Sequence, residues 1–262
     1  MWQYGLEWEV EWHTTPPTAL LQQLQHLGWQ LHWDASLRNG IELVSHPAPH
    51  SWWDTEGLSW MRATRTLLQA WVCPRNGETS AIQWHVAPQY GGGWLTSLGR
   101  RTILYLLLQE AVQWDESSAY LQWCHPRRQR FTQRLRWNPQ WESLLQPGVW
   151  TPEHCEERLL PLLPPHRYYS LNLHALVRHG TIEYRRWNST LEEATWRTIQ
   201  QQVMATVEQA AHQIIKGGFC DIAEQRYSLY SAFDAPITPS VSDVPSRGPY
   251  LNRSGRRDVY AL

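Results

Sequence analysis

Three carboxylates at every second position, Glu7, Glu9 and Glu11, stand near the start of the chain. Read with a period of two, Trp2, Tyr4, Leu6, Trp8, Val10 and Trp12 share one side of a strand, and Gly5, Glu7, Glu9, Glu11 and His13 share the other. Same-side neighbours in a strand lie roughly 6.5 Å apart, so such charges repel unless water, a cation or arginine neutralises them. Two readings remain open: the solvated face of an antiparallel sheet, or a metal site.

Other strand-like segments carry groups of the same kind. In Gly40-Ile41-Glu42-Leu43-Val44-Ser45, Glu42 sits among apolar residues, where an unpartnered carboxylate is costly. In Ala81-Ile82-Gln83-Trp84-His85-Val86, Gln83 and His85 share a side, and Thr181, Glu183 and Arg185 share one in Gly180-Thr181-Ile182-Glu183-Tyr184-Arg185-Arg186. Joined in one sheet, these strands would project carboxylates, an imidazole and a guanidinium onto a single surface. Magnesium favours carboxylate and phosphate oxygens, paired carboxylates can hold two cations about 3.5 to 4 Å apart around a phosphoryl group, and arginine grips phosphate through a fixed fork of donors. Singly, each residue has a plainer explanation: a solvated strand position for Glu7 or Glu9, a satisfied core histidine for His85, an exposed ion pair worth little for Glu183 with Arg185.

The elements that must position these groups can be read in order. The first strand is followed by a stop at Thr14-Thr15-Pro16-Pro17-Thr18 and a helix carrying Leu20, Leu21, Leu24 and Leu27, which Gly28 ends. Trp29 to Trp33 and Gly40 to Ser45 read as paired strands joined by a turn around Arg38-Asn39-Gly40. A helix follows over Leu58 to Val72, then a turn at Pro74-Arg75-Asn76-Gly77, a strand from Ser80 to Ala87, a break at Gly91-Gly92-Gly93 and a helix from Ser97 to Trp114. Residues 115–165, rich in Pro, Arg and Trp, read as loops and short helices, a lid or an insertion. Tyr168 to Leu176 and Gly180 to Trp187 read as strands joined at Arg178-His179-Gly180. A long helix then starts with Thr190 and Glu193 as a capping box and stops at Gly217-Gly218. The order predicts an α+β fold, a mainly antiparallel curved sheet with helices packed on one face and the other left open for chemistry. Residues 1–235 form the catalytic domain on this reading, and 236–262 a flexible or surface-draped tail.

Composition excludes some partners. A net charge of -1 over 262 residues gives no electrostatic reason to expect nucleic acid or an anionic membrane, and no apolar run approaches a membrane span. The four cysteines, Cys73, Cys124, Cys155 and Cys220, form no CxxC pair, which points to a reduced, cytoplasmic setting. Lys216 is the sole lysine, and Gly91-Gly92-Gly93 lacks the Lys-Ser/Thr of a phosphate-binding loop. Tryptophan, at 18 residues, exceeds tyrosine and phenylalanine together, as bulky core or as a habit of the source genome. Nothing marks an oligomer interface.

Taken in order, Gly5-Leu6-Glu7-Trp8-Glu9, Glu42-Leu43-Val44-Ser45-His46-Pro47, His85-Val86, Arg167-Tyr168-Tyr169-Ser170-Leu171-Asn172-Leu173 and Gly180-Thr181-Ile182-Glu183-Tyr184-Arg185 resemble the amidoligase family, carboxylate–amine ligases related to glutamine synthetase and glutamate–cysteine ligase. The match runs over roughly Tyr4 to Leu191. No single piece is specific; five in order, each on a strand-like segment, form the signal. The resemblance implies a glutamine-synthetase-like catalytic fold and an ATP-dependent ligase that makes an acyl phosphate from a carboxylate, of an amino acid or peptide, which an amine attacks to form an amide or isopeptide. It implies Mg2+ held by Glu7, Glu9 and Glu183, catalytic roles for Glu42, His85 and Arg185, and nucleotide or acyl-phosphate contacts from Arg167, Asn172 and Arg185. Glu11 falls outside the motif, as a solvated neighbour.

The chain departs from the family pattern where Gln83 replaces the first histidine of a His-x-His strand, and where His46-Pro47 replaces a double proline. The segment His125-Pro126-Arg127-Arg128-Gln129-Arg130 has no counterpart and would belong to the substrate end. Two competing functions follow from the same residues: a catalytically degenerate ligase-fold binding or assembly protein, favoured by Gln83 and a tryptophan-rich surface, and a metal-dependent nuclease or hydrolase, opposed by the near-neutral charge.

Overall fold

The alternation of the first segment makes one strand central to the molecule. In the computed structural model, which describes residues 2–73, 78–88, 97–113, 132, 133, 135, 138, 140, 141, 160–163 and 166–215, β1 (Trp2–Glu11) buries Trp2, Tyr4, Leu6, Trp8 and Val10 on its apolar side. Around it lie β2 (Gln30–His32), β3 (Gly40–Val44), β4 (Ala48–Pro49), β5 (Ala81–Pro88), β6 (Leu171–Asn172) and β7 (Ile182–Asn188). Their order is β2-β3-β1-β5-β7-β6, with β4 also paired to β1, and every pairing of these strands is antiparallel.

The helices are α1 (Thr18–His26), α2 (His50–Asp54), α3 (Glu56–Leu68), α4 (Ser97–Gln113), α5 (His174–His179) and α6 (Glu193–Ile215). Met61 and Leu68 of α3, Trp53 of α2 and Ile199, Val203 and Val207 of α6 join Tyr4, Trp8 and Trp84 in one core. Each such side chain contributes about 1.5 to 3 kcal/mol by leaving water. The polar tips of the indoles are also used: Trp8 Nε1 donates to Ser189 Oγ at 3.0 Å, and Trp53 Nε1 donates to the Tyr4 carbonyl at 2.9 Å. The helices therefore cover the apolar face, as the periodicity requires.

Among the described residues tryptophan is mostly core. Trp2, Trp8, Trp12, Trp29, Trp53, Trp84, Trp141, Trp187 and Trp196 are buried, and Trp33 is the exposed one among the described residues. The expected tryptophan-rich surface is thus corrected there.

Several expected elements changed form. Asn39-Gly40 makes no tight hairpin, because β2 ends at His32 and β3 begins at Gly40. Gly40 is required by a close approach instead: a Cβ there would lie 2.3 Å from the Val10 carbonyl. The strand expected over Tyr168 to Leu176 shrinks to β6, and α5 occupies its second half. Gly180 ends α5 at φ 68°, a left-handed conformation that frees the chain to enter β7. The capping box expected ahead of α6 does not form; Thr190 Oγ1 accepts the Glu192 N–H at 3.0 Å, a local turn two residues long. The turn at 74–77, the triple glycine 91–93, the stop at 217–218, the Arg-rich run 125–130 and the tail lie outside the described residues. Within 115–165, Leu135, Trp141 and Leu163 are buried in the core, and Gln133 bridges to Tyr169.

Candidate active site

Register decides which polar residues meet. Across β3, β1, β5, β7 and β6, Glu42 pairs with Glu9, Glu7 with Gln83, Gly5 with His85, His85 with Glu183, and Glu183 with Asn172. Directly paired residues lie on the same face of a sheet, so all of these project opposite the helices. The surface is not open, however: Glu9, Gln83, Asn172, Glu183 and Arg185 are buried. The expected open face is a buried polar cluster.

A bulge in β7 lies beside it. Between the pairs Ile82 with Trp187 and Trp84 with Tyr184, β5 advances two residues while β7 advances three. The extra residue lets Tyr184 and Trp187 both face the core, which strict alternation forbids. Arg185 stays on the polar face and forms a salt bridge through its NH1 to Glu183 Oε1, whereas Arg186 lies over the Trp187 ring at 4.7 Å from its centroid.

Two groups of ligand-type atoms result. Glu7, His85 and Glu183 form one trio, and Glu9, Asp34 and Glu42 a second; in each, one ligand atom per residue lies within 4.8 Å of the others. Each carboxylate is oriented from outside its trio. Glu9 accepts the Ala81 N–H at 2.6 Å and the Gln83 amide at 2.5 Å, and Glu183 accepts the Asn172 amide at 2.5 Å. His85 Nε2 lies 3.0 Å from Glu7 Oε1, and its Nδ1 lies 2.8 Å from Thr181 Oγ1. Such outer partners fix the directions in which ligand groups point.

The charges sort themselves between the carboxylates. Burial would raise the Glu7 carboxyl, but the charge and hydrogen bond of His85, the hydrogen bond of Glu42 and the charge of Arg185 outweigh it and hold Glu7 well below the usual range. Glu42 moves the other way: burial, the neighbouring charges of Glu7 and Glu9 and a hydrogen bond with Glu7 push it well above that range. His85 is raised because Glu7 outweighs its burial.

The set of expected residues divides accordingly. Glu7, Glu9, Glu42, His85, Glu183 and Arg185 are brought together. Asn172 belongs to the same cluster, with its amide on Glu183 and its Oδ1 accepting the His174 N–H at 2.9 Å. Arg167 is exposed, with its guanidinium 5.7 Å from the Tyr168 ring centroid and no contact to the cluster among the described residues. Glu11, expected to be solvated, is 9% exposed and accepts the Arg38 N–H at 3.3 Å. Gln83 fills the position of the absent histidine by orienting Glu9.

Sequence reasoning missed Asp34 and His179. Asp34 lies between β2 and β3 and accepts the Ser36 N–H at 2.7 Å; the Asp-x-Ser spacing signals that turn but not its meeting with Glu9. His179 comes from the last turn of α5 and lines, with Gly5, Glu7, His85 and Thr181, a small pocket beside the first trio.

The donor chemistry suits a divalent cation. The second trio is all hard oxygen, which favours magnesium or manganese, and the first adds one imidazole to two carboxylates. The Gln83 Oε1 is buried without a hydrogen-bond partner among the described residues while its amide nitrogen holds Glu9, an acceptor beside that trio. The residues present therefore fit the metal; for the nucleotide, Arg185 lies in the cluster and Arg167 does not.

A family model described as "Putative amidoligase enzyme" matches residues 30–207. A solved structure titled "Crystal structure of novel glutamine synthase homolog" is similar at 13% identity and a TM-score of 0.42, over 80% of this chain and 56% of that one. The chain thus spans little more than half the length of that relative, and the likeness is too remote to bear on the site. No curated protein matches the chain. Among the described residues no helix is long and apolar enough to cross a membrane.

Proposed function

The chain belongs to the amidoligase family, and from that premise we propose that it is an ATP-dependent, Mg2+-requiring carboxylate–amine ligase that forms an amide or isopeptide bond through an acyl phosphate. The observation that carries the reading is the pair of trios on one sheet face, with Arg185 beside them. Phosphoryl transfer needs positioning and charge neutralisation more than covalent help from the protein.

In this reading Glu7, His85 and Glu183 hold one cation, and Glu9, Asp34 and Glu42 a second. The bound metal supplies neutralisation of phosphate charge and polarisation of phosphoryl oxygen. Asn172, Gln83 and Thr181 keep the ligands aimed, and Arg185 remains cationic because Glu183, Glu9 and Glu7 outweigh its burial. Arg167, exposed beside Tyr168, is the residue proposed to reach nucleotide phosphate. The reduced cytoplasm is the proposed setting; among the described residues the free thiol of Cys73 accords with it.

The degenerate-module reading is weakened by its own two motives. Among the described residues the tryptophans are mostly buried, and Gln83 keeps Glu9 in position. The test is ADP release from Mg-ATP with panels of carboxylates and amines. Turnover is expected in the wild type and loss of at least about 100-fold in Glu7→Gln and Glu183→Gln, the scale on which electrostatic catalytic groups act. Wild-type turnover in both variants would overturn the assignment, and calorimetry showing no Mg-ATP binding would favour the non-catalytic module.

A further inference from the structure

Gly5 stands inside the central strand, where glycine weakens a sheet because it loses more freedom on folding and packs no side chain. The usual reasons for a strand glycine do not apply to it. Among the described residues a positive φ occurs only at Gly28 and Gly180. The register with β5 runs unbroken from Trp2 opposite Pro88 to Trp8 opposite Ile82. On the other side, between the pairs Tyr4 with Ala48 and Glu7 with Val44, β1 advances three residues while the facing segment advances four, so the extra residue belongs to that segment and not to β1. A Cβ on Gly5 would meet only the His85 Cβ, at 3.8 Å, an ordinary van der Waals contact. The backbone and its neighbours would thus accept a side chain here; what the glycine provides is space.

That space opens onto the first trio. Gly5 pairs with His85 and His85 with Glu183, so the glycine extends a row that holds two members of the trio, and Glu7 follows it by two residues on the same side of β1. Gly5 and Ala87, both small, leave a hollow with room for about one water-sized group, walled by Glu7, His85, His179 and Thr181. Exposure within the trio is graded towards this hollow: the side chains of Glu7 and His85, which line it, are 19% and 12% exposed, and that of Glu183, which does not, is 6% exposed.

Resting on the ligase reading, we propose that Gly5 is an access-determining residue, whose missing side chain keeps one coordination position of a cation on Glu7, His85 and Glu183 open to a single small donor, a carboxylate or phosphate oxygen of the substrate. Three protein ligands leave positions for outside oxygens on a divalent ion of this kind. A methyl group at position 5 would narrow the approach while leaving the three ligands and the strand pairing in place.

The test uses the full chain loaded with Co2+ instead of Mg2+, without ATP, and titrated with azide, a thin anion whose binding changes the visible absorption of the metal. The wild type is expected to respond. Gly5→Ala should weaken azide at least about tenfold, the scale of one misplaced methyl group in a fitted pocket, and Gly5→Val should abolish the response, while calorimetry shows Co2+ affinity unchanged in Gly5→Ala. Equal azide affinity in the wild type and both variants, no response in the wild type, or a response that persists in Glu7→Gln would overturn the proposal. So would loss of Co2+ affinity in Gly5→Ala, which would mark the glycine as structural. Circular dichroism checks each variant; should Gly5→Val not fold, the outcome in Gly5→Ala decides. A protein that shows the azide effect but releases no ADP would sink the ligase reading alone, and one that releases ADP with azide binding indifferent to position 5 would sink this proposal alone.

Discussion

At the scale of single residues, the cluster behaves as a set of mutually dependent charges. Gln83, with 2% exposure, donates to Glu9, and Glu9 faces Glu42 across the strands. Gln83→Leu should destabilise the protein by about 1 to 3 kcal/mol, because one oxygen of a buried carboxylate loses its partner; urea unfolding would show it. The same variant should weaken magnesium binding. Glu7 and His85 predict a pH dependence in the metal-free protein. Burial disfavours charge on both, and their pairing outweighs it, lowering Glu7 and raising His85. The His85 contribution is then complete below its ordinary value of about 6.5 and fades as pH rises through the raised folded value. The Glu7 contribution is complete above the ordinary carboxylate value and fades as pH falls through its depressed one. In EDTA, stability measured from pH 5 to 9 should decline on the alkaline side in the wild type and lose that slope in His85→Gln. An identical slope in both would mean that the imidazole carries no charge.

At the scale of elements, two backbone features place the cluster. Gly40 opens β3 opposite Glu11, pressed against the Val10 carbonyl. Gly40→Ala should therefore separate β3 from β1 and cost about 1 to 3 kcal/mol, the range for overpacked sites. Because β3 carries Glu42, magnesium affinity should fall with stability, which calorimetry and thermal melts would read together. The bulge in β7 is the other feature. It turns Trp187 to the core while Arg185 keeps the side that alternation with Glu183 gives it, and no alternating pattern in Ile182–Asn188 announces it. The reduced length of β6 has a similar cause. Tyr168 to Leu176 is apolar enough for a strand, but a short apolar run suits helix or strand equally until its packing is known.

For the whole molecule, the helix layer is a support for the opposite face. Trp8, whose neighbours in sequence are Glu7 and Glu9, donates to Ser189, the residue after β7 on the way to α6. Trp8→Phe should cost about 1 kcal/mol or somewhat more from the lost hydrogen bond and the smaller ring, read as a lower denaturant midpoint. Magnesium should act in the opposite direction. A ligand that binds only the folded chain adds about 2.7 kcal/mol at one hundred times its dissociation constant. Thermal melts with magnesium and with EDTA should differ accordingly, and the difference should vanish in Glu183→Gln.

Much of this protein is determined along the chain. The alternation of β1, the leucine spacing of α1 and the paired signals of Glu7, Glu9, Glu42, His85 and Glu183 are local or near-local patterns, and strand periodicity converts them directly into faces. The family motifs then put those faces in order. What only the tertiary structure decided depends on register and on residues distant in sequence. Asp34 joins the second trio because β2 and β3 pair beside β1, Trp187 reaches the core because β7 gains a residue, and Glu11 is buried where the Arg38 backbone N–H meets it. A one-residue shift in a strand exchanges its faces, so these placements follow from pairing, which no single segment specifies.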